Sequence, residues 1–291
     1  MMDYYQPPKI EHVRYVTVQN REETKNVEEV KKDVRDAYGR VVESSNQNKS
    51  CGNPRSCCGV SAKPDAGYSQ ELGYTQEELK SVPEGANMGL GCGNPQAIAD
   101  LKQGEIVLDL GAGAGFDVFL ASHKVGPSGK VYGVDMTPDM LSTARANAVK
   151  GGYRNVEFLL GEIEHLPLPN SSVDVIISNC VVNLSTDKAQ VFNESFRVLK
   201  EGGRIAISDI VASKPLPQEM VNNKELYCNC ISGAVPTNDL KQILSQAGFT
   251  DIVIETQENS RMFIKDWVPG SDAENYVVSA KIKAVKPRAK S

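Results

Sequence analysis

The spacing of hydrophobic positions changes several times along the chain, and each change marks an element. From Val27, the residues Val27, Val30, Val34, Ala37, Tyr38 and Val41 recur every three or four positions, which places them on one face of a helix ending near Ser44. Residues 1–26 form a polar arm with two prolines, in which HVRYVTV alternates enough for a short strand. After the helix, SSNQNKSCGNPRSCCGVSAKPDAG is rich in Gly, Pro, Ser and Asn and reads as a loop. A second loop, SVPEGANMGLGCG, ends at Asn94-Pro95, a helix N-cap followed by a residue suited to the first turn, so a helix is expected over NPQAIADLK.

Beyond Gly104, apolar runs of strand length alternate with helical periodicity. EIVLDLG, KVYGVDM, NVEFLLG, VDVIISN and RIAISDIVA are strands; helices run from about Phe116 and over DMLSTARANAVKGG and KAQVFNESFRVLKEGG. Such alternation implies an α/β fold, a mostly parallel doubly wound sheet covered on both faces. After Val211 the pattern breaks: SKPLPQEMVNNKELYCNCISGAVPT is too long for a connector, and such segments are usually functional lids. DLKQILSQAGF then predicts a helix, DIVIET and NYVVSAKIKAV strands, and KPRAKS a basic tail. The chain therefore divides into an N-terminal arm, helix and cysteine-bearing loop (1–60), a core (61–212), an insertion (213–236) and a C-terminal helix, two strands and tail (237–291).

Composition narrows the class. The 291 residues, 40% of them hydrophobic, suffice for one domain with extra segments, and the net charge of −5 repels phosphate backbones, so no nucleic-acid partner is expected. No run approaches the roughly 18 apolar residues needed to span a bilayer, and MMDYYQPPKIEH lacks signal-peptide features, so the protein is expected to be cytoplasmic. Seven cysteines against three histidines, in an odd number and widely spaced, point to thiols kept for ligand work rather than to a disulfide framework.

Asp109 to Gly115, DLGAGAG, stands between an apolar strand and a helix, where the first turn of a doubly wound sheet binds nucleotides. Its D-x-G-x-G-x-G spacing departs from the G-x-G-x-x-G that grips a pyrophosphate. It resembles the first motif of the class I S-adenosylmethionine (SAM)-dependent methyltransferases. The resemblance assigns Asp109, Gly111, Ala112, Gly113 and Gly115 to the cofactor. Asp135, followed by Met136, ends the next strand where a carboxylate can accept the ribose hydroxyls. Gly161, Glu162 and Ile163 stand where this fold brackets adenine, and Asn179 lies under the expected sulfonium.

The cysteines carry the substrate question, because a fold alone does not define one. Cys180 follows the fourth strand and should sit at the carboxyl edge of the sheet. Cys92, flanked by glycines, lies in a loop with too little bulk to bury it, and Cys230 lies in the insertion. Cys228, two positions earlier, should point elsewhere. Cys51, Cys57 and Cys58 lack the C-x2–4-C pair of structural zinc, and no histidine pair completes such a site. Isolated thiolates from three loops suit a soft centre of three-fold preference, such as arsenic(III). His123 and His165 are expected at the surface.

Tyr38-Gly39, Gly89 to Pro95, Asp109 to Asp117, Ser178 to Leu184 and Cys230 to Ala234 together resemble the arsenite methyltransferases. The resemblance implies that Cys92, Cys180 and Cys230 bind arsenic(III) and that Cys51, by its position after Tyr38-Gly39, joins a thiol–disulfide cycle. Cys57-Cys58-Gly59 also resembles a motif of bacterial members, which leaves the redox thiol open among Cys51, Cys57 and Cys58. The segment after Gly270 is too short for the further domain of longer relatives. Implied besides SAM are a thiol reductant such as glutathione or thioredoxin, and trivalent arsenicals, free or as glutathione conjugates, as substrates. Two alternatives share the fold: C- or O-methylation of a small lipid or quinone, with incidental cysteines, and metalloid binding or sensing without turnover.

Overall fold

The computed structural model describes residues 27–47 and 66–289. The N-terminal arm with its expected strand, and the loop carrying Cys51, Cys57 and Cys58, lie outside the described residues. The first helix, α1 (Val27–Gln47), runs past the expected end near Ser44. Val30, Val34, Ala37 and Val41 are buried, whereas Val27, at the end of the stripe, is 48% exposed.

Two short helices that hydrophobic spacing does not mark follow, α2 (Ala66–Glu71) and α3 (Gln76–Ser81). A capping box starts α3: Thr75 Oγ1 accepts from the Glu78 N–H and the Glu78 carboxylate accepts from the Thr75 N–H. The helix expected over NPQAIADLK is corrected to a single turn, α4 (Gln96–Ala99). Asn94 Oδ1 does accept from the Ala97 N–H at 3.1 Å. Asp100, however, turns left-handed at φ 46°, and Arg204 binds the carbonyls of Ala99 and Asp100 at 2.7 Å each, fixing the stop.

Strand and helix then alternate as expected: β1 (Ile106–Leu110), α5 (Phe116–Val125), β2 (Lys130–Asp135), α6 (Pro138–Gly151), β3 (Val156–Leu160), β4 (Val173–Asn179), α7 (Lys188–Val198) and β5 (Leu199–Ala212). After the insertion come α10 (Thr237–Gln246), β6 (Thr250–Gln257), an unexpected turn of helix α11 (Arg261–Ile264), and β7 (Val277–Val285). The seven strands lie in the order β3-β2-β1-β4-β5-β7-β6, with β1 to β5 parallel and β7 antiparallel to both its neighbours.

The near-continuous apolar strands serve two cores, because successive side chains leave opposite faces. Leu108, Ile176, Ile205 and Ile207 pack with Phe192 of α7 and Leu244 of α10. Their neighbours Val107, Val175, Ile177 and Ala206 pack with Phe119 of α5 and Leu141 of α6. All five parallel strands therefore end on one edge, where Asp109, Asp135 and Cys180 follow from strand length alone.

The insertion, read from its length as a lid, carries two short helices, α8 (Gln218–Val221) and α9 (Lys224–Cys228). Its ends meet, since the Ala212 N–H donates to Val235 O at 3.0 Å and Ala212 bridges Pro236. It is seated by close backbone contact: a Cβ on Gly233 would stand 2.0 Å from the carbonyl oxygen of Asn183. Gly233→Ala is therefore expected to cost about 1–3 kcal/mol, read as a lower urea midpoint at unchanged slope. An unchanged midpoint would show that the contact does not seat the insertion.

Candidate active site

At the carboxyl edge of β1, β2 and β4 lies a cleft of about 1070 Å³, its open mouth included. β1 contributes Asp109 to its wall and the turn after it Gly111, Ala112 and Gly113; Asp135 and Met136 come from the end of β2, Gly161 and Ile163 from the loop after β3, and Asn179 from β4. Gly111 adopts φ 70°, and a Cβ there would meet Val181 at 2.2 Å, so only glycine fits this turn. Two residues expected at the cofactor have other surroundings. Gly115, the N-cap of α5 at φ 95°, packs against Phe119 and Phe158. The Glu162 carboxylate is held by Lys31 of α1 at 2.5 Å and lies 3.8 Å from Arg35, so it ties α1 down over the cleft.

Two buried carboxylates, Asp109 and Asp117, and the half-buried Asp135 set the electrostatics of this cleft. The Asp135 oxygens accept from the N–H groups of Gly113 at 2.9 Å and Thr137 at 2.8 Å. Burial raises the Asp135 pKa, and these donors oppose the rise. Asp109 is pushed well above the usual carboxylate range by burial and by the charges of Asp117 and Asp135. Asp117 is pushed up to about 6 by burial, against hydrogen bonds from Tyr74 and Asn179. A cationic ligand between Asp109 and Asp117 would relieve their mutual repulsion. An amino acid ammonium at one end and a ribose at Asp135, with Met136, Met140 and Ile163 as apolar wall, match the chemistry of S-adenosylmethionine.

A second cleft of about 510 Å³ opens beside the first and shares Tyr38, Leu90, Gly91 and Cys180 with it. Cys228, Cys230 and Trp267 complete much of its wall. Beside it Cys180 meets two other thiols, and all three are buried: Cys92 at 1%, Cys180 at 7% and Cys230 at 2% exposure. The expectation that the Cys92 loop could not bury its thiol is corrected. Its glycines let the loop lie flat against the sheet, where a Cβ on Gly93 would sit 2.9 Å from Ser208 and where Ser279 Oγ donates to Cys92 O at 2.7 Å.

Cys180 and Cys230 both hold left-handed backbone, at φ 60° and 62°. For a side chain without a local amide or carboxylate to form compensating hydrogen bonds, that conformation costs on the order of 1–3 kcal/mol. The Cys230 thiol donates to Cys180 O at 2.8 Å. Asn183 Nδ2 donates to Ile210 O at 2.6 Å and to Cys230 O at 3.2 Å, joining β5, the turn after β4 and the insertion. Burial raises the Cys92 thiol pKa, and it raises the Cys180 thiol well beyond the usual range with help from Cys230 and Cys92. A carboxylate oxygen of Asp209 and the sulfurs of Cys92 and Cys180 all lie within 4.8 Å of one another. Cys228, expected to point elsewhere, is half-buried and lines the second cleft together with Cys180 and Cys230.

One side chain links the two clefts. Asn179 Nδ2 donates to Gly93 O at 2.8 Å and to the Tyr74 hydroxyl at 3.1 Å, and its Oδ1 accepts from the Cys92 N–H at 3.0 Å. The Tyr74 hydroxyl in turn donates to Asp117 at 2.9 Å. Sequence spacing did not single out Tyr74, Tyr68, Trp267, Lys188 or Asp209. The capping signature Thr75-x-x-Glu78 would have revealed α3 and hence the placement of Tyr74; for Lys188 and Asp209 the sequence carries no comparable signal. His123 and His165 are exposed, as expected.

Residues 101–248 match the family described as methyltransferase domain. With the cleft, this defines a SAM-dependent methyltransferase. The chain is 45% identical over 282 residues to the arsenite methyltransferase of Halobacterium salinarum, covering 93% of this chain and 71% of that protein. It is 38% identical over 226 residues to that of Aquipseudomonas alcaligenes, covering 75% of this chain and 61% of the relative. An arsenic(III) S-adenosylmethionine methyltransferase from Chlamydomonas reinhardtii superposes with a TM-score of 0.57 at 34% identity, over 78% of this chain and 75% of the other. The chain belongs to the arsenite methyltransferase family.

The Asp117 environment yields a pH dependence. Its folded pKa of about 6 stands above the ordinary aspartate value of 3.8, so the folded state binds more protons between these values and stability falls as pH rises through that window. Thermal unfolding of the ligand-free protein from pH 4 to pH 7 should show this decline, and Asp117→Asn should reduce it, the remainder coming from the other raised carboxylates, Asp209 among them at about 6. An unaltered profile in the variant would assign the dependence to other groups.

Proposed function

We propose that the protein transfers methyl groups from S-adenosylmethionine to trivalent arsenic held by Cys92, Cys180 and Cys230, converting arsenite to methyl- and dimethylarsenicals. The observation that carries this reading is that the buried thiols of Cys92 and Cys230, from separate segments, both lie against that of Cys180, which lines both clefts. Incidental cysteines of a lipid or quinone methyltransferase would not require left-handed backbone at both Cys180 and Cys230. The carboxylate-lined cleft speaks against a binding protein without turnover.

S-adenosylmethionine supplies an electrophilic methyl group. Asp109, with Asp117, would take its ammonium and Asp135 its ribose hydroxyls, while Gly111, Ala112 and Gly113 let the backbone approach and Met136, Gly161 and Ile163 enclose the base. Asn179 orients both the donor cleft and the Cys92 loop. Raised thiol pKa values do not impede arsenic capture: exchanging three hydroxyls of arsenous acid for three thiols releases three waters and no net proton. Arsenic then uses its lone pair, so no general base is needed, and the enzyme's work is alignment and exclusion of water. The insertion, 213–236, supplies Cys230 and one wall of the acceptor site. Each methylation raises arsenic by two oxidation units; two thiolates return it to the trivalent state as a disulfide, which glutathione or thioredoxin reduces. Cys51, or Cys57 or Cys58, would enter at this stage. Arsenic delivered as a glutathione conjugate and a reducing cytoplasm suit this cycle.

Asp135→Ala should weaken SAM binding by about 1–3 kcal/mol through loss of a charged acceptor. Calorimetry would detect this, and unchanged affinity would remove Asp135 from the site. The acceptor reading is tested by arsenic speciation after incubation with SAM, glutathione and either arsenite or methylarsenite. Cys180→Ser and Cys230→Ser should abolish both conversions, since hydroxyls do not replace soft sulfur. Cys92→Ser and Cys51→Ser should spare methylarsenite, which needs two thiolates, and Cys228→Ser should be nearly silent. Wild-type activity in all five variants would defeat the arsenic reading; selective loss in Cys57→Ser or Cys58→Ser instead of Cys51→Ser would move only the redox assignment.

A further inference from the structure

Asp209 is a buried charge for which the reading above has no use. It stands on β5, is 2% exposed, and does not line the cofactor cleft. Its Oδ2 accepts from the Val182 N–H at 2.9 Å and its Oδ1 from the Ile210 N–H at 2.7 Å. These bonds pin the turn after β4, and the charge of the neighbouring, half-buried Lys188 favours the Asp209 carboxylate. The two N–H donors each need an acceptor oxygen, which a carboxylate supplies and an amide does not, so the turn selects a carboxylate here. The carboxylate is also aimed elsewhere: an oxygen lies within 4.8 Å of the sulfurs of both Cys92 and Cys180.

Arsenic bound by three thiolates is neutral. In methyl transfer its lone pair forms the arsenic–carbon bond, the carbon–sulfur bond breaks with its electron pair kept by sulfur, and no proton moves. A unit of positive charge therefore leaves the donor and appears on arsenic. Charge that develops in a buried site is best stabilised by a group already fixed in place. Resting on the arsenic reading above, we propose that the Asp209 carboxylate is the countercharge for the positive charge that arsenic acquires on methylation. The donor cleft has its own carboxylates at Asp109, Asp117 and Asp135, which favour the charge before transfer. Asp209, beside the thiols, favours it afterwards.

The test compares the wild-type protein with Asp209→Asn, which keeps one of the two acceptor oxygens for the turn and loses the charge. Two cofactor analogues serve as probes in calorimetry: S-adenosylhomocysteine, uncharged at its sulfur, and sinefungin, which carries an amine in place of the sulfonium methyl. The wild type should prefer sinefungin. The variant should bind S-adenosylhomocysteine as the wild type does while losing about tenfold in sinefungin affinity, and its single-turnover methylation of arsenite should fall by about 100-fold, the scale of removing one preorganised group. Arsenite binding should be retained. Equal weakening of both analogues, or no change in either, overturns the proposal and leaves Asp209 as a pin for the turn. A wild-type protein that binds sinefungin no more tightly than S-adenosylhomocysteine overturns it without any variant. A wild type that prefers sinefungin yet leaves arsenite unmethylated refutes the arsenic reading instead, and with it the identity of the acceptor.

Discussion

The active centre depends on the left-handed turn at Cys180. At the end of β4 the chain must leave a sheet buried on both faces, and it does so by placing a non-glycine residue at φ 60°. Asn183, three positions on, then faces back to Ile210 of β5 and across to Cys230. The Cys180 carbonyl is left free to accept the Cys230 thiol. One unfavourable backbone conformation thus brings two sulfurs from residues fifty positions apart into one pocket. It persists because the hydrogen bonds of Asp209 and Asn183 over-determine it.

Much of this could be read from the chain before its structure was known. The parallel sheet follows from apolar runs of strand length, and the cofactor turn from DLGAGAG at the end of the first of them. Those signals are local, and strand ends in a doubly wound sheet map directly onto a binding edge. Cys180 could be placed for the same reason. The burial of Cys92 could not, because what covers it comes from Ser208 and Ser279 on β5 and β7, far away in sequence. The single-turn α4 escaped because its stop is made by Arg204 rather than by a local breaker. Glu162 follows the expected strand end, yet Lys31 on a helix 131 residues earlier claims its carboxylate.

Charge is partitioned across the site. The first cleft is lined by the carboxylates of Asp109, Asp117 and Asp135, and the second is aromatic and sulfur-rich, with Tyr38, Tyr68 and Trp267 beside Cys180, Cys228 and Cys230. The Tyr68 hydroxyl donates to Gly91 O at 2.8 Å and accepts from Trp267 Nε1 at 3.1 Å, so the aromatic wall is fastened to the loop that carries Cys92. Asn179 then fastens that loop to the donor side. The two half-sites are chemically unlike and mechanically joined.

The closed ends of the insertion give that division a history. The chain leaves β5 after Ala212 and comes back to the same residue at Val235 and Pro236, so the excursion can lengthen, shorten or be exchanged without moving a strand. Such a loop behaves as a cassette. Evolution could rework the acceptor on a scaffold whose handling of the donor stays fixed, and the same junction is where a designer would graft a different acceptor pocket.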